Sequence, residues 1–374
     1  MRTLGAHIPR IGDVGRDIAA TTLVGVALLA AACGGADRTL LVHSSLPDAV
    51  NAHAERAFEQ AHPGVDVRFV TASPDETLER LRSGDPPPID VWWGAPADVL
   101  VRAAGEDLLS GYVPSWTEES GLVDPDEERW HPSLVSPFVI AFNRDSLSVG
   151  LAPRDWVDMF HFRFRGEVVL LDPATSPETA HFLGSMLVEQ LREGRSLLSA
   201  FDWLMRLDAS VAEYPREPAD VLRRLRFGDA LVTVLPRHLV EDARHDGAPW
   251  IHYRFPEGGT PVLARGIAIP ARAAEPELAR RFVDLTGTPD VVAVAVRHTR
   301  WAPAPGALGA RPPRGATAAS GAGGASESGN LPPGFQLELP WAPRPLAADT
   351  LAAELDGWLQ RWQAEVRGRG RGLF

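Results

Sequence analysis

The sequence predicts an α/β protein built on parallel sheets, and three observations predict it. Strand-like and helix-like segments alternate, five of them between residues 39 and 93, which is the pattern of a sheet crossed by helices. The best-defined strand-like runs, such as 168–171 and 230–235, are apolar on both faces, as in sheets covered on both sides. Three of the strands end in small polar residues immediately before a helix start: Ser44-Ser45, Gly94 with Asp98, and Thr175-Ser176. At 374 residues, with 45% of them hydrophobic, the chain has room for two domains with real cores.

Arg2, Arg10 and Arg16 precede a mostly apolar stretch, 18–32, which ends in small residues at Ala30-Ala31-Ala32-Cys33-Gly34. A basic start, a short apolar run and a small-residue cut describe a secretory signal; a membrane-spanning helix needs about 20 apolar residues. Residues 1–32 are therefore expected to be a signal peptide and 33–38 a tether. The small residues around Cys33 resemble a bacterial lipobox, with Ala30 where leucine is usual and Leu29 one step earlier. That resemblance implies a lipid-anchored exported protein with Cys33 acylated. Cys33 is the single cysteine, so no internal disulfide is expected in the exported part.

Residues 39–43 form the first strand, followed by a helix over 49–61 with Ala54, Ala57, Phe58 and Ala61 on one face. The segment 65–70 alternates as a second strand, 75–83 reads as a helix, and 89–93 is the third strand after three prolines. Gly94-Ala95-Pro96-Ala97-Asp98 opens another helix. Residues 111–132 are irregular, with Trp116 and Trp130 as packing anchors, and 136–143 is the next strand. A short helix at 156–160 leads to the strand 168–171, which stops at Asp172-Pro173. Thr175 or Ser176 can cap the following helix, and Pro177 suits its first position. Helices follow at 179–191, 196–207 and 218–226, then the strand 230–235 ending in Pro236-Arg237-His238. After a segment at 250–255 and a turn at 257–260 come a strand at 263–269 and helices at 276–285 and 288–296. Residues 302–334 change abruptly to Ala, Gly, Pro and Ser and are expected to be a disordered loop. A last helix, 349–366, carries Leu351, Leu355, Trp358, Leu359 and Trp362 at helical spacing and is expected to pack back on the body.

In open parallel sheets ligands sit beyond the carboxyl ends of the strands, so Ser44, Ser45, Gly94, Thr175 and Ser176 are candidates for one pocket. Helix N-termini offer unpaired N–H groups and a positive dipole end, which suits an anion. Arg237 and His238 add a charged donor and a polar ring from a fourth strand. No Gly-x-Ser-x-Gly, His-Glu-x-x-His or phosphate-loop pattern is present, and the eleven histidines show no ligand spacing, so neither catalysis nor a metal or cofactor is expected. The formal charge is −12 and there is no lysine, which argues against nucleic acid as a partner.

Five segments occur in the order Leu41-Val-His-Ser-Ser-Leu-Pro-Asp48, Ile89-Asp-Val-Trp-Trp-Gly-Ala-Pro-Ala-Asp98, Ser136-Pro-Phe-Val-Ile-Ala-Phe-Asn143, Leu170-Leu-Asp-Pro-Ala-Thr-Ser-Pro-Glu178 and Pro256-Glu-Gly-Gly-Thr260. Over residues 39–303 this set resembles the solute-binding proteins of ABC importers, in the branch that includes ferric-iron, phosphonate and sugar-phosphate binders. The resemblance implies a two-lobed clamshell of the type II periplasmic binding fold, each lobe a mostly parallel sheet flanked by helices. Lobe one would hold 39–137 plus 264–374 and lobe two 138–263, with hinges near 136–143 and 257–266. It further implies a monomer outside the cytoplasm that hands a small solute to a membrane permease and its ATPase. Ser44, Ser45 and Gly94 would bind from lobe one, and Thr175 and Ser176 from lobe two. Iron binders of this branch use an adjacent tyrosine pair where this chain has Pro236-Arg237-His238, and its tyrosines are Tyr112, Tyr214 and Tyr253. A phosphate-, phosphonate- or carboxylate-bearing solute is expected instead. A ligand sensor feeding a receptor, or an exported enzyme, are the other readings.

Overall fold

The computed structural model describes residues 38–117, 129–304 and 343–370. Cys33, the expected signal peptide and most of the expected loop at 302–334 lie outside them.

The chain opens with β1 (Arg38–Ser44), α1 (Asp48–Ala61), β2 (Val65–Thr71), α2 (Pro74–Ser83), β3 (Val91–Pro96) and α3 (Ala97–Gly105). β1 lies between β2 and β3 and is parallel to both, as the alternation predicts. Local chemistry sets the boundaries. Ser73 caps α2 reciprocally with Glu76: Glu76 N donates to Ser73 Oγ at 3.2 Å and Ser73 N to Glu76 Oε2 at 2.9 Å. Gly84 then closes α2 in the left-handed conformation.

After β4 (Leu109–Ser110) comes β5 (Trp130–Asn143), a 14-residue strand that begins within the stretch expected to be irregular. Pro132 conceals its first half in the sequence, and the fold accommodates that proline opposite Gly266, at a register shift in the ladder. Short 3₁₀ turns lead to β6 (Val168–Val169), α4 (Pro177–Arg192), α5 (Leu197–Ser210), β7 (Val211–Glu213), α6 (Pro218–Phe227) and β8 (Val232–Pro236). β6 is parallel to β7 and β8. Then come α7 (Arg237–His245), β9 (Ile251–Arg254), β10 (Val262–Pro270), α8 (Pro276–Thr286), α9 (Pro289–Thr299), β11 (Ala302–Pro303) and α10 (Ala348–Glu365). α7 occupies a stretch in which the sequence predicts no element beyond the strand end at Pro236-Arg237-His238. Ala302 and Pro303, placed in the expected loop, instead pair with Val135 and Leu134 of β5.

The sheet runs β2-β1-β3-β10-β5-β8-β6-β7. Its outer parts are parallel, and the strands at its centre, β10 and β5, are antiparallel. β5 changes neighbour midway: Trp130 to Pro137 pair with β10, and Phe138 to Phe142 pair with β8. The buried side chains change with it. Trp92, Trp93, Trp130, Val135 and Phe282 belong to one apolar core, while Phe138, Phe142, Trp156, Phe182 and Val232 belong to another. At this changeover Thr260 is fully buried, its hydroxyl donating to Phe138 O at 2.7 Å, and its carbonyl accepts from Arg344 N at 3.0 Å.

The tail helix was expected to belong with the first lobe, but Leu351, Trp358 and Trp362 of α10 are buried in the Phe138 core. Gly184 of α4 makes the approach possible, since a Cβ there would come within 2.6 Å of Leu351 and 2.7 Å of Leu355. α10 also touches α3, so it lies against both halves of the molecule.

Candidate functional site

Ser45 and Gly94 end neighbouring strands, and the fold joins them directly. Ser45 Oγ donates to Gly94 O at 2.6 Å, and Ser45 N to Trp93 O at 3.2 Å. Gly94 has φ 87°, and a Cβ there would meet Leu46 at 2.7 Å, so the turn requires glycine. Ser44 points inward. It is buried and donates to Asn51 Oδ1 at 2.8 Å while accepting Leu46 N at 3.1 Å.

On the other core, Ser176 is the N-cap of α4: it accepts Thr179 N at 3.2 Å and donates to Glu178 Oε2 at 3.0 Å. Thr175 is exposed, its hydroxyl 3.3 Å from Asp172 O and 3.4 Å from Arg216 O.

Arg237 and His238 form the first turn of α7. Arg237 Nε donates to the Tyr253 hydroxyl at 3.2 Å and Nη1 to Arg300 O at 3.3 Å. His238 meets Ser136 twice, through its backbone N at 3.2 Å and through Nδ1 at 2.8 Å. The Ser136 hydroxyl oxygen accepts the backbone N–H and shares a second hydrogen bond with the ring at Nδ1. The ring lies 4.7 Å from Trp301. Burial, aided by Arg265 and Arg237, pushes the His238 pKa down to about 3, so the ring is neutral. This shift has a definite sign. The folded state binds fewer protons than the unfolded chain between about pH 6.5 and 3, so its contribution is complete above 6.5 and is lost as pH falls through that window. Urea unfolding of His238→Gln should show a shallower loss of stability over that range than the parent. Equal slopes would mean the ring is not buried neutral.

The residue that composition did not single out is Arg265. It lies in β10 between Ala264 and Gly266, with its guanidinium carbon 4.8 Å from the centre of the buried Trp301 ring. Its carbonyl accepts from Ser133 Oγ at 3.2 Å, but its guanidinium forms no hydrogen bond or ion pair with any described residue. Burial lowers its pKa, with Glu178 acting in the opposite direction. An arginine inside an apolar central strand is itself the signal, since a buried charge is costly without a partner.

Electrostatic couplings bring the groups together. Glu178 of α4 acts on Arg265 and on His181, Asp98 of α3 acts on His181, and Arg265 and Arg237 act on His238. Glu178 at the start of α4 is thus within electrostatic reach of Arg265, and Arg265 and Arg237 are within reach of His238. His181 Nε2 donates to Val262 O at 3.2 Å, and its ring stacks on Phe138 at 6.1 Å. Among the described residues no cluster of three His, Cys, Asp or Glu has metal-binding geometry, and no helix is long and apolar enough to cross a membrane.

An α/β sheet of two cores joined by antiparallel strands is the architecture of type II periplasmic binding proteins. Residues 39–298 match the family of bacterial extracellular solute-binding proteins, and the chain belongs to that family. It is 26% identical over 350 residues to the probable ABC transporter periplasmic-binding protein y4fP of Sinorhizobium fredii, covering 91% of this chain and 90% of that one. Among solved structures, the Trichodesmium protein IdiA (FutA) in complex with iron and citrate has TM-score 0.68 at 15% identity, covering 87% of this chain and 98% of its own. AfuA of Actinobacillus pleuropneumoniae, with fructose-6-phosphate bound, has TM-score 0.54 at 18% identity, covering 88% and 99%.

Proposed function

We propose that this protein is the extracytoplasmic receptor of an ABC importer and captures a small anionic solute between two lobes, for delivery to a permease and its ATPase. The lobes are taken as 39–137 with the segment from 264, and 138–263, with α10 resting on the second. Ser45 and Gly94 face the solute from one side, Thr175 and the N-terminus of α4 from the other. Arg237 and His238 complete the wall, and Ser44 and Ser176 support their turns from behind. Solute contacting both lobes stabilises the closed arrangement relative to the open one.

The observation that carries the anionic reading is Arg265, a largely buried guanidinium that rests on the Trp301 ring and forms no hydrogen bond or ion pair with any described residue. Its planar fork matches a carboxylate, phosphate or phosphonate, and the neutral His238 ring adds a polar group. The chain offers no adjacent tyrosine pair for ferric iron, since α7 begins with Arg237 and His238.

A thermal-shift screen with inorganic phosphate, methylphosphonate, fructose 6-phosphate, citrate and ferric iron tests this. A ligand at a hundredfold excess over its Kd adds about 2.7 kcal/mol of stability, which raises Tm by several degrees. At least one anion should do so. A response to ferric iron alone would overturn the anionic reading.

A further inference from the structure

The residues after α10 fasten to the second core through contacts that the helix itself does not need. Asp208 of α5, fully buried, accepts hydrogen bonds from the Gly368 and Gly370 N–H groups at 2.9 Å each and from the Tyr214 hydroxyl at 2.8 Å. Gly370 fits so closely that a Cβ would come within 2.6 Å of Ala209 N. This places Arg367 against Asp172, with Nη2 donating to Oδ2 at 2.8 Å and Nη1 to Oδ1 at 3.3 Å. The guanidinium also packs over the rings of Tyr214 and Trp362, at 5.5 and 5.7 Å.

Asp172 organises the turn before α4. Its Oδ1 accepts Ala174 N at 3.0 Å, and its carbonyl accepts both Thr175 N and Ser176 N at 2.9 Å. The Asp172 side chain is only 8% exposed, so its charge depends on the Arg367 fork. Without that fork the carboxylate gains by turning towards water, and the Ala174 N–H loses its acceptor.

We propose that Arg367 is a positioning residue for the solute site: through Asp172 it sets the turn that presents Thr175 and the start of α4. This rests on the reading that the turn meets the solute. The C-terminal tail thereby belongs to the binding machinery although it touches no solute, 195 residues away in sequence from the turn that it holds.

The full chain carrying Arg367→Gln keeps a polar side chain at the position but lacks the bidentate cation that faces Asp172, Tyr214 and Trp362. Arg367→Lys restores the charge with a single donor group. Amide hydrogen exchange of a peptide covering residues 170–178 should accelerate about tenfold in Arg367→Gln and recover in part in Arg367→Lys, with β3 and β8 unchanged. Calorimetric titrations with methylphosphonate, fructose 6-phosphate and citrate should show about tenfold weaker binding in Arg367→Gln for whichever of them binds the parent. Unchanged exchange over 170–178, or acceleration shared equally by the whole second core, would overturn the proposal. So would a loosened turn with full affinity. If none of the three anions binds the parent, the anionic reading fails by itself, and the exchange comparison still decides whether Arg367 holds the turn.

Discussion

Arg265→Met is expected to abolish capture of the anion while leaving the unliganded protein as stable as before, or more so. The two effects have one cause. A largely buried cation that no described carboxylate pairs with is a cost to the empty protein, and replacing it with an apolar chain of similar length relieves that cost. The same cation, once a carboxylate or phosphate docks on it, makes a charge-assisted pair shielded from water, and losing one partner of such a pair costs about 2–5 kcal/mol of binding. Kd should therefore rise about thirtyfold or more, with the urea midpoint unchanged or higher. Arg265→Lys should fall between the two, because an ammonium keeps the charge and loses the planar fork. Affinity retained in Arg265→Met would remove Arg265 from the site.

Asp90→Ala should have the opposite profile, with a large loss of stability and no direct loss of recognition. Asp90 lies just before β3, in the segment Ile89-Asp-Val-Trp-Trp, and acts as a structural tie. It is 2% exposed, its Oδ2 accepting Leu41 N at 2.8 Å and its Oδ1 accepting Glu275 N at 2.8 Å, so one carboxylate joins β1 to the residue before α8. Truncation strands two backbone donors, each costing about 1–3 kcal/mol. A drop of roughly 2–5 kcal/mol in the unfolding free energy is expected from denaturant melts. Asp90→Asn, which keeps one acceptor, should lose less. A drop under about 1 kcal/mol in Asp90→Ala would mean that water replaces the carboxylate at both N–H groups.

Strand and helix alternation was legible because it is written locally, in apolar runs and in cap residues such as Ser176 and Pro177. α7 was not legible for the same reason. Of its nine residues only Val240 is buried, so Arg237 to His245 carry no apolar stripe to read. β7 and β11 are too short for periodicity to register.

The site divides along similar lines. Ser45, Gly94, Thr175 and Ser176 stood out because turns and helix starts select those residue types. Whether a hydroxyl faces solute or its own turn depends on tertiary partners, and Asn51 for Ser44 and Glu178 for Ser176 are neighbours that no cap rule names. Arg265 and Trp301 come together only through the sheet and the turn after α9, and Asp172 meets Arg367 only once α10 has docked.

The changeover in β5 has a further consequence. The chain passes between the two cores at Pro137–Phe138, again near Thr260, and a third time beside Pro343, and the Thr260 hydroxyl and carbonyl tie these passages together. A body joined to another at three adjacent points retains essentially one rotation and almost no independent translation. On the two-lobed reading proposed above, little rigid-body entropy is then left to surrender when a solute bridges the gap, so the ordering cost that weakens most two-sided recognition is met when the protein folds. A solute with few atoms can hold such a cleft shut.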